Sequence, residues 1–461
     1  MEFYNHTIKQ LRKLIIDKKI SPEELFNYYL KKIKILNPKL NAYLTVIEKP
    51  SIDYSKKEKP LFGIPYSMKD TYSVKGVRTT AGSKILSNHI ASYDSTVYSK
   101  LKDAGAILIG KTNCDAWGHG GSTENSDFGP TKNPWNLGYV PGGSSGGSGA
   151  ALASDLSSFS IGEDTGGSIR NPASFCSVVG LKVTYGLVSR YGCIAFASSL
   201  DTVGPMARNV EDLAEVLQII AGKDQYDATT NANQVEDYTK FLQQKISGMA
   251  LGIPKEYFSK GVDSEIIEKI KNAIKIFEKL GVKVVSVSLP MTKYAIAAYY
   301  LIAPSETSSN LSRYDGIRFG NNRDAFGTEA KRRIMLGTYT LSAGYYDAYY
   351  KKATKIRTLI KKDFEEVFSK VDFLAGPVTP TPPFKIGEKI NNPLTMYLED
   401  AFTVPINLAG IPALALRAGF TKNKLPVGFQ IIGKHFTEAK LLNIGYQYEQ
   451  VSEINEKPKF V

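Results

Sequence analysis

The spacing of hydrophobic and polar positions near the N-terminus is helical. A Thr-Ile-Lys-Gln capping box at 7–10 and a Ser-Pro-Glu-Glu capping box at 21–24 each precede residues whose apolar positions share one helix face. Proline at the second residue of the later box suits the first position of a helix. We therefore predict that helices begin near residues 8 and 22 and that the chain opens with a helical layer.

Short apolar runs bounded by glycine, proline or polar residues follow this layer. The runs at 61–68 and 106–110 flank a helical pattern at 94–104, an alternation typical of parallel strands joined by a helix. An amphipathic helix is predicted at 264–280, and further strands are predicted at 282–289, 373–375, 413–415 and 428–432. These elements predict an α/β fold with a mixed, largely parallel central sheet and helices on both faces.

The composition is that of an ordinary globular chain of 461 residues, with 43% hydrophobic and 22% charged residues. No run of about 20 apolar residues could cross a bilayer, and no targeting segment is visible at the N-terminus. Cys114, Cys176 and Cys193 are widely spaced and odd in number, which argues against a disulfide framework and against a structural zinc site. We expect a protein of the reducing cytoplasm.

The net charge of +13 leaves two interpretations open. Clustered lysine and arginine would indicate a nucleic-acid partner. The basic runs, such as Lys331-Arg332-Arg333, are short, and most of the excess lysine is spread along the chain. A generally lysine-rich surface is therefore the favoured interpretation.

Two glycine-rich segments carry the candidate chemistry. The first is Gly-Gly-Ser-Ser-Gly-Gly-Ser-Gly at 142–149, and the second is Asp-Thr-Gly-Gly-Ser-Ile-Arg at 164–170. Glycine on either side of a serine leaves the hydroxyl unscreened, and it lets successive backbone N–H groups turn toward a developing oxyanion. Ser144 and Ser168 are the candidate hydroxyls, and Lys69 is a candidate partner upstream.

A nucleotide site does not fit these segments. The phosphate-binding pattern GxxxxGK[ST] requires a lysine that is absent here, and GxGxxG fails because Leu152 stands at its last position. We therefore expect no cofactor and no metal in this chain.

A Ser-His-Asp hydrolase is one alternative. The pattern Gly142-x-Ser144-x-Gly146 matches GxSxG, His119-Gly120-Gly121 resembles an oxyanion motif, and Asp400 precedes His435 in the expected order. A nucleophile elbow must follow a buried strand, whereas residues 134–141 are interrupted by prolines. This context disfavours the histidine mechanism.

A lysine base is the other alternative. Lys69 follows the apolar stretch 63–68, which predicts that it is carried into the interior, where burial would lower its pKa and make it a usable base. The competing interpretation is a structural ion pair of Lys69 with Asp70 or another acid.

The three residues together resemble the amidase signature family, whose catalytic set is a lysine, a serine in a cis peptide and a nucleophilic serine. Here Ser144 lies 75 residues after Lys69, and Ser168 lies 24 residues after Ser144, as in that family. The resemblance implies an amidase-signature fold in which Lys69 is the base, Ser144 relays the proton from a cis peptide after Gly143, and Ser168 attacks the amide carbon. It also implies an oxyanion hole formed by the backbone N–H groups of Thr165, Gly166, Gly167 and Ser168.

Later segments resemble the branch of this family that works in tRNA-dependent amidotransferases. These segments are 122–126, 129–135, 308–316, 331–334 and 392–397. By this resemblance Arg333 and Asp400 hold the carboxylate and the amino group of glutamine, with Gly121 and Ser122 beside them, and a guanidinium and a carboxylate suit those charges. A surface ion pair is the alternative for each of the two charged residues.

The same resemblance implies a glutaminase that supplies ammonia for converting Glu-tRNA(Gln), or Asp-tRNA(Asn), to the amide. It implies a heterotrimer with the B and C subunits of such an enzyme, with ATP and Mg expected on the B subunit, misacylated tRNA bound mainly through that same partner, and no membrane contact. A stand-alone amidase for a small amide and a scaffold subunit without activity are the alternatives.

The resemblance also sets the expected domain organisation and has one departure. We expect a single amidase domain over 1–461, with a helical layer at about 1–60, a catalytic core at about 61–222 and a C-terminal part at about 247–461 that completes the substrate pocket. The polar stretch 223–246 is either an internal boundary or a surface loop. Residues 115–119, Asp-Ala-Trp-Gly-His, depart from the family's usual Asp-Glu-Phe-Ala-Met, which indicates either an altered pocket or ordinary packing of Trp117 and His119.

Overall fold

The fold was obtained as a computed structural model, which describes residues 2–232, 235–258, 261–317 and 320–459. Within these residues eleven strands form one sheet. The strands are β1 (Tyr43–Val46), β2 (Pro65–Lys69), β3 (Ile107–Thr112), β4 (Phe159–Asp164), β5 (Val179–Lys182), β6 (Thr202–Ala207), β7 (Ala250–Pro254), β8 (Lys283–Val287), β9 (Phe373–Pro377), β10 (Ala413–Phe420) and β11 (Pro426–Ile432). Their order across the sheet is β1-β3-β2-β4-β6-β5-β10-β11-β9-β7-β8.

Thirteen α-helices accompany the sheet in the described part of the chain. They are α1 (Ile8–Ile16), α2 (Pro22–Leu40), α3 (Thr96–Asp103), α4 (Gly146–Ala153), α5 (Arg170–Cys176), α6 (Val210–Ile220), α7 (Ser264–Lys279), α8 (Ala295–Leu311), α9 (Thr328–Leu341), α10 (Lys352–Val367), α11 (Pro393–Leu398), α12 (Val404–Ala409) and α13 (Glu438–Val451). Both predicted capping boxes are present, since Thr7 and Ser21 each accept the N3 backbone N–H and the N3 side chain returns the bond.

The sheet is mixed, as expected, but it is not largely parallel. Four strand pairings are parallel and six are antiparallel. Five of the six antiparallel pairs lie in the middle of the sheet, where β4, β6, β5, β10, β11 and β9 are neighbours, and the sixth joins β1 to β3 at one edge. A short connection such as residues 421–425 between β10 and β11 permits an antiparallel return, whereas parallel strands need a longer crossover. The apolar runs alone did not reveal whether neighbouring strands are parallel or antiparallel.

Helices cover both faces of the sheet. On β11 a Cβ added to Gly428 would meet Ser174 of α5, and the ring of the next residue, Phe429, lies 6.3 Å from the ring of Phe277 on α7. Successive residues of a strand point to opposite faces, so α5 and α7 lie on opposite sides of the sheet. This confirms the predicted placement of helices.

Two hydrophobic clusters fill the space between these layers. The larger joins α1, α2, α6, α7 and α13 to the sheet, and the smaller gathers around α8, α10 and α12. Within the polar stretch 223–246, Tyr238, Leu242 and Ile246 are buried in the larger cluster, so this segment packs on the core. Within the described ranges, none of the helices combines the length and apolar character that a bilayer span requires.

Candidate active site

Lys69 is the last residue of β2 and is fully buried. Its Nζ donates a hydrogen bond of 2.7 Å to the Oγ of Ser144. The Gly143–Ser144 peptide bond is cis, as the resemblance implied. The structure therefore brings together a buried amine and a serine hydroxyl that are 75 residues apart in the sequence.

The backbone before Ser144 is tightly enclosed. A Cβ on Gly143 would clash with the carboxylate of Asp115 and with the backbone N of Ser122, so only glycine fits there. The Asp115 carboxylate accepts the backbone N–H groups of Thr123 and Asn125, at 2.9 and 3.0 Å. Burial raises the pKa of Asp115 to about 7 even though these two bonds favour its charged form.

The chain leading to Ser144 does not have the form of a nucleophile elbow. Residues 113–145 contain no strand, and α4 begins at Gly146 directly after the serine pair. His119 packs against Phe196 with ring centroids 4.6 Å apart, and its Nε2 lies 3.3 Å from the hydroxyl of Thr307. Ser144 is thus hydrogen-bonded to a lysine, and the histidine mechanism is not supported by this geometry.

Ser168 lies in the loop between β4 and α5, and the carboxylate of Asp164 organises that loop. Asp164 accepts the backbone N–H groups of Gly167 and Ile169 and forms a buried ion pair of 3.0 Å with Arg170. Burial is the largest influence and raises the pKa of Asp164, but the charge and hydrogen bonds of Arg170, with Lys182 and Asn407, together outweigh it and lower the pKa to about 2. The carboxylate therefore stays ionised and fixes the turn that presents Ser168.

Hydrogen bonds on two sides hold the loop that contains Ser168. The backbone N–H of Ser145 donates to the carbonyl of Ser168 at 3.1 Å. Thr403 Oγ1 donates to the carbonyl of Gly166 at 2.6 Å and to the carbonyl of Asp400 at 3.2 Å. The loop is thereby tied to Ser144 on one side and to a predicted recognition residue on the other.

The four predicted oxyanion donors are not equivalent here. The N–H of Gly167 donates to Asp164 Oδ1 at 2.9 Å. The backbone N–H groups of Thr165, Gly166 and Ser168 have no acceptor among the described residues. Gly167 is therefore the one donor of the four that is already engaged, while the role of Thr165, Gly166, Gly167 and Ser168 as an oxyanion hole stays a prediction.

Lys69 also faces a carboxylate that the sequence did not reveal. Its Nζ lies 3.4 Å from Glu163 Oε2, and both side chains are about fully buried, with 1% and 2% exposure. Asp70, the partner suggested by its adjacency, pairs instead with Lys111 at 3.2 Å. Burial is the largest single influence and lowers the pKa of Lys69, but Glu163 and the smaller contributions from Cys114 and Cys193 together outweigh burial, so the net pKa lies above the ordinary value. The expected lowering of the lysine pKa is therefore wrong for the resting site.

Arg333 lies on α9 and is 3% exposed. Its Nε donates to Glu329 Oε1 at 2.8 Å, which leaves the two terminal nitrogens without a partner in the described residues. The guanidinium lies 5.3 Å from the ring of Tyr300 and 5.6 Å from that of Tyr397. One edge of the Arg333 guanidinium thus forms a buried ion pair with Glu329. The two terminal nitrogens on the other edge are available for further hydrogen bonds.

Asp400 is linked to Arg333 by Tyr300, which contacts both side chains. The hydroxyl of Tyr300 donates to Asp400 Oδ2 at 2.8 Å. A Cβ on Gly121 would lie 3.8 Å from Asp400 Oδ1, so this glycine faces the carboxylate at close range. Burial raises the pKa of Asp400 to about 7, against the lowering effects of Tyr300 and Arg333.

A cavity of about 420 Å³ lies beside Arg333 and Tyr300. Its lining includes Gly121, Glu329, Arg333, Tyr300 and Tyr397. The hydroxyl of Ser122, next to Gly121, is buried without a hydrogen-bond partner in the described residues. Sequence reasoning missed Tyr300, Tyr397 and Glu329. None of these residue types gives a functional signal in a helix pattern before the helices are packed.

Two side chains of the departing segment 115–119, Trp117 and His119, do not line this cavity. Trp117 is 1% exposed and lies 4.7 Å from the ring of Tyr314 and 5.5 Å from that of Phe326. Ala116 and Gly120, in contrast, do line the cavity. Ordinary packing of these two side chains is the interpretation that the geometry favours.

No group of three or more histidine, cysteine, aspartate or glutamate side chains is placed to hold a metal ion among the described residues. The groups that the structure brings together at the site are hydroxyl, amine, carboxylate and backbone N–H groups. Such a set can transfer an acyl group from an amide to a serine.

Comparison with known proteins defines the class first. A family model described as Amidase matches residues 24–442, and the chain belongs to this family. The A subunit of glutamyl-tRNA(Gln) amidotransferase from Caldanaerobacter subterraneus subsp. tengcongensis is 48% identical over 485 residues, with 100% of this chain and 99% of that protein covered. The corresponding protein of Bacillus pumilus is 51% identical over 478 residues, with 98% of each chain covered.

A solved structure agrees with these relatives. The glutamyl-tRNA(Gln) amidotransferase A subunit of Thermotoga maritima superposes with a TM-score of 0.89 at 44% identity, with 100% of this chain and 98% of that chain covered. The α/β amidase fold is thus confirmed over the whole length of the chain.

Proposed function

We propose that this chain is the glutamine-hydrolysing subunit of a tRNA-dependent amidotransferase. It releases ammonia from glutamine, and the ammonia converts Glu-tRNA(Gln), or Asp-tRNA(Asn), to the corresponding amide. The observation that carries the proposal is the hydrogen bond of 2.7 Å from Lys69 to Ser144. Gly143, which precedes Ser144, packs against Gly121, and Gly121 faces Asp400 and lines the same cavity as Arg333. The full-length similarity to the A subunits of glutamyl-tRNA(Gln) amidotransferases supports the same assignment.

The reaction follows from the roles of the hydroxyls. Ser168 attacks the side-chain amide carbon of glutamine while its proton passes to Ser144 and from Ser144 to Lys69. The backbone N–H groups at 165–168 stabilise the oxyanion of the tetrahedral intermediate. The proton returns through Ser144 to the leaving ammonia, and water then hydrolyses the acyl-enzyme by the reverse relay.

Recognition of glutamine as an amino acid falls to the charged pair. The two terminal nitrogens of Arg333 suit the α-carboxylate, and the Asp400 carboxylate suits the α-ammonium group. Gly121 and Ser122 form the wall next to Asp400, where the absence of a side chain on Gly121 leaves room for the ammonium.

We propose that the whole chain acts as one amidase domain, because one sheet runs from β1 at one edge to β8 at the other.

The biological reaction requires the B and C subunits, with ATP and Mg on the B subunit and the misacylated tRNA bound mainly there. A surface cluster of Tyr339, Tyr345, Tyr346 and Tyr349, each at least 39% exposed, supports an aromatic face for partners.

Ammonia release from glutamine, measured with and without the co-expressed B and C subunits, tests the proposal. We expect weak activity from the isolated chain, co-purification with both partners, and stimulation by ATP and misacylated tRNA. A single chain that hydrolyses glutamine at full rate, and gains nothing from the two partners or from tRNA, would establish a free-standing amidase.

A further inference from the structure

Lys69 contacts two groups, and the relay described above uses only one of them. Besides Ser144 Oγ at 2.7 Å, its Nζ lies 3.4 Å from Glu163 Oε2. Glu163 lies on β4, which pairs in parallel with β2, the strand of Lys69. In this pairing Met68 of β2 lies opposite Ile161 of β4. Two adjacent strands therefore hold the amine and the carboxylate together in the sheet.

The Glu163 carboxylate has few other means of stabilising its charge. It is 1% exposed, and neither of its oxygens accepts a hydrogen bond within the described residues. A buried carboxylate in this position requires an opposite charge nearby. The ammonium form of Lys69 supplies that charge, so the resting pair carries one proton and no net charge.

The other titratable groups around Lys69 and Glu163 do not take the place of Glu163 as the charged partner of Lys69. Cys114 and Cys193 face Lys69, and burial raises the pKa of both thiols, which keeps them neutral. Asp115 and His119 lie farther along the cis-serine side, and burial lowers the pKa of His119, which keeps it uncharged. Asp201 faces Glu163, and burial followed by the repulsion of Glu163 raises the pKa of Asp201 to about 8.

A second cavity of about 250 Å³ reaches Glu163. Its inner lining includes Glu163, Asp201 and Cys193, and its outer lining includes Tyr226, whose side chain is 64% exposed. It shares no lining residue with the 420 Å³ cavity that contains Arg333. Glu163 therefore borders a cavity that is separate from the one lined by Arg333.

We propose that Glu163 is a positioning residue that accepts the proton of Lys69 and so makes this lysine a base at neutral pH. The inference rests on the proposed roles of Lys69, Ser144 and Ser168. Before attack, the proton moves from Lys69 Nζ to Glu163 Oε2, which leaves a neutral amine and a neutral carboxyl. Lys69 then accepts the proton that leaves Ser168 through Ser144, and it returns this proton to the departing ammonia. The Lys69 and Glu163 pair again carries one proton at the end of the cycle.

The pH dependence of Ser168 reactivity tests this inference. Transfer inside the pair does not change its total number of protons, so the wild-type rate stays constant until a second proton enters at low pH. In Glu163→Gln the proton of Lys69 must instead be lost to solvent, so the low-pH limb moves to higher pH by about one unit or more. The readout is the rate at which a fluorophosphonate probe labels Ser168, because this probe requires neither glutamine recognition nor partner proteins.

Two variants complete the experiment. Glu163→Asp keeps an acceptor and is expected to keep the low-pH limb near its wild-type position with a slower rate. Glu438→Gln removes a carboxylate that is equally buried but bonds to Thr184, and it is expected to leave the limb unchanged. Thermal unfolding of all variants separates loss of fold from loss of reactivity.

A limb that stays in place, moves to lower pH, or is replaced by an equal loss at every pH in folded Glu163→Gln would overturn the inference. A shift to lower pH would mean that Glu163 only holds the ammonium by its charge. Undiminished labelling of Lys69→Ala would instead contradict the proposed relay itself, so the two failures are distinguishable.

Discussion

The hydrolytic region of the site comes from one stretch, 69–168, whereas the recognition region is assembled from α8, α9 and the segment around Asp400. In the first region, strands and glycine-rich turns hold the residues, and internal ion pairs such as Asp164 with Arg170 balance the charges. In the second, Arg333 is held by one carboxylate and by aromatic rings, and nearby Met335 and Leu394 are 72% and 74% exposed. On the proposed roles, the sheet and its turns hold the groups for bond cleavage, and peripheral helices hold the groups for substrate recognition.

The largest expected effect lies in the hydrolytic region. Ser168→Ala removes the nucleophile and should lower amide hydrolysis by about 10⁴-fold or more for every substrate. Lys69→Ala and Ser144→Ala should have comparable effects, and double variants should not be additive, because the three residues form one proton-transfer unit. Steady-state kinetics and acyl-enzyme trapping check this. An acyl group trapped on another residue, or full additivity, would contradict it.

The next effect should separate the two regions. Arg333→Ala and Asp400→Ala should each cost about 2–4 kcal/mol in kcat/KM for glutamine, because each loses a desolvated charge contact. Simple amides without the amino-acid head should be hydrolysed nearly as before. Lys331→Ala, an exposed basic residue of the same helix, is the matched control. Equal losses on both substrate types would show that the residues support the fold.

The pH dependence of substrate preference should follow Asp400. Its pKa is raised to about 7 by burial, so the carboxylate that binds the ammonium is present above pH 7 and lost below it. The ratio of kcat/KM for glutamine to that for a simple amide should therefore fall by about tenfold per unit below pH 7. The ratio cancels the titration of Lys69, which affects both substrates. A ratio constant from pH 5 to 9 would contradict this assignment.

The smallest effect concerns the link between the recognition residues. Tyr300→Phe removes the 2.8 Å hydrogen bond to Asp400 and should cost about 1 kcal/mol in glutamine kcat/KM. Because this bond favours the charged carboxylate, its loss should move the midpoint of the substrate ratio to higher pH. Tyr397→Phe, which loses a bond to Glu329 instead, should leave the midpoint in place. Identical midpoints for all three proteins would exclude Tyr300 as the tuning group.

The local patterns predicted many elements correctly. The capping boxes located the starts of α1 and α2, and the amphipathic stretch after Asp263 located α7. Strands β1, β4, β5, β6 and β7 were not predicted. Strands β4, β5 and β6 are buried along their whole length, so they lack the alternation of a half-buried strand. The antiparallel centre of the sheet was also missed, since strand order depends on long-range pairing.

The site divides in the same way. Lys69 and Ser144 could be singled out from glycine context and spacing, and the structure places them in contact. The resemblance, rather than spacing alone, pointed to Arg333 and Asp400, which the structure brings to one tyrosine. Glu163 gave no signal, because its importance comes from the neighbouring strand.

By itself the sequence determined the helix starts, the glycine-enclosed serines and the membership in a hydrolytic class, because capping, glycine conformation and hydroxyl exposure depend on neighbours along the chain. Only the tertiary structure decided which charges meet. Lys69 pairs with Glu163 and leaves Asp70 to Lys111, and Arg333 turns its free edge into the cavity. Such pairings depend on strand order and burial, which set the distance between groups and the free energy of an unpaired charge.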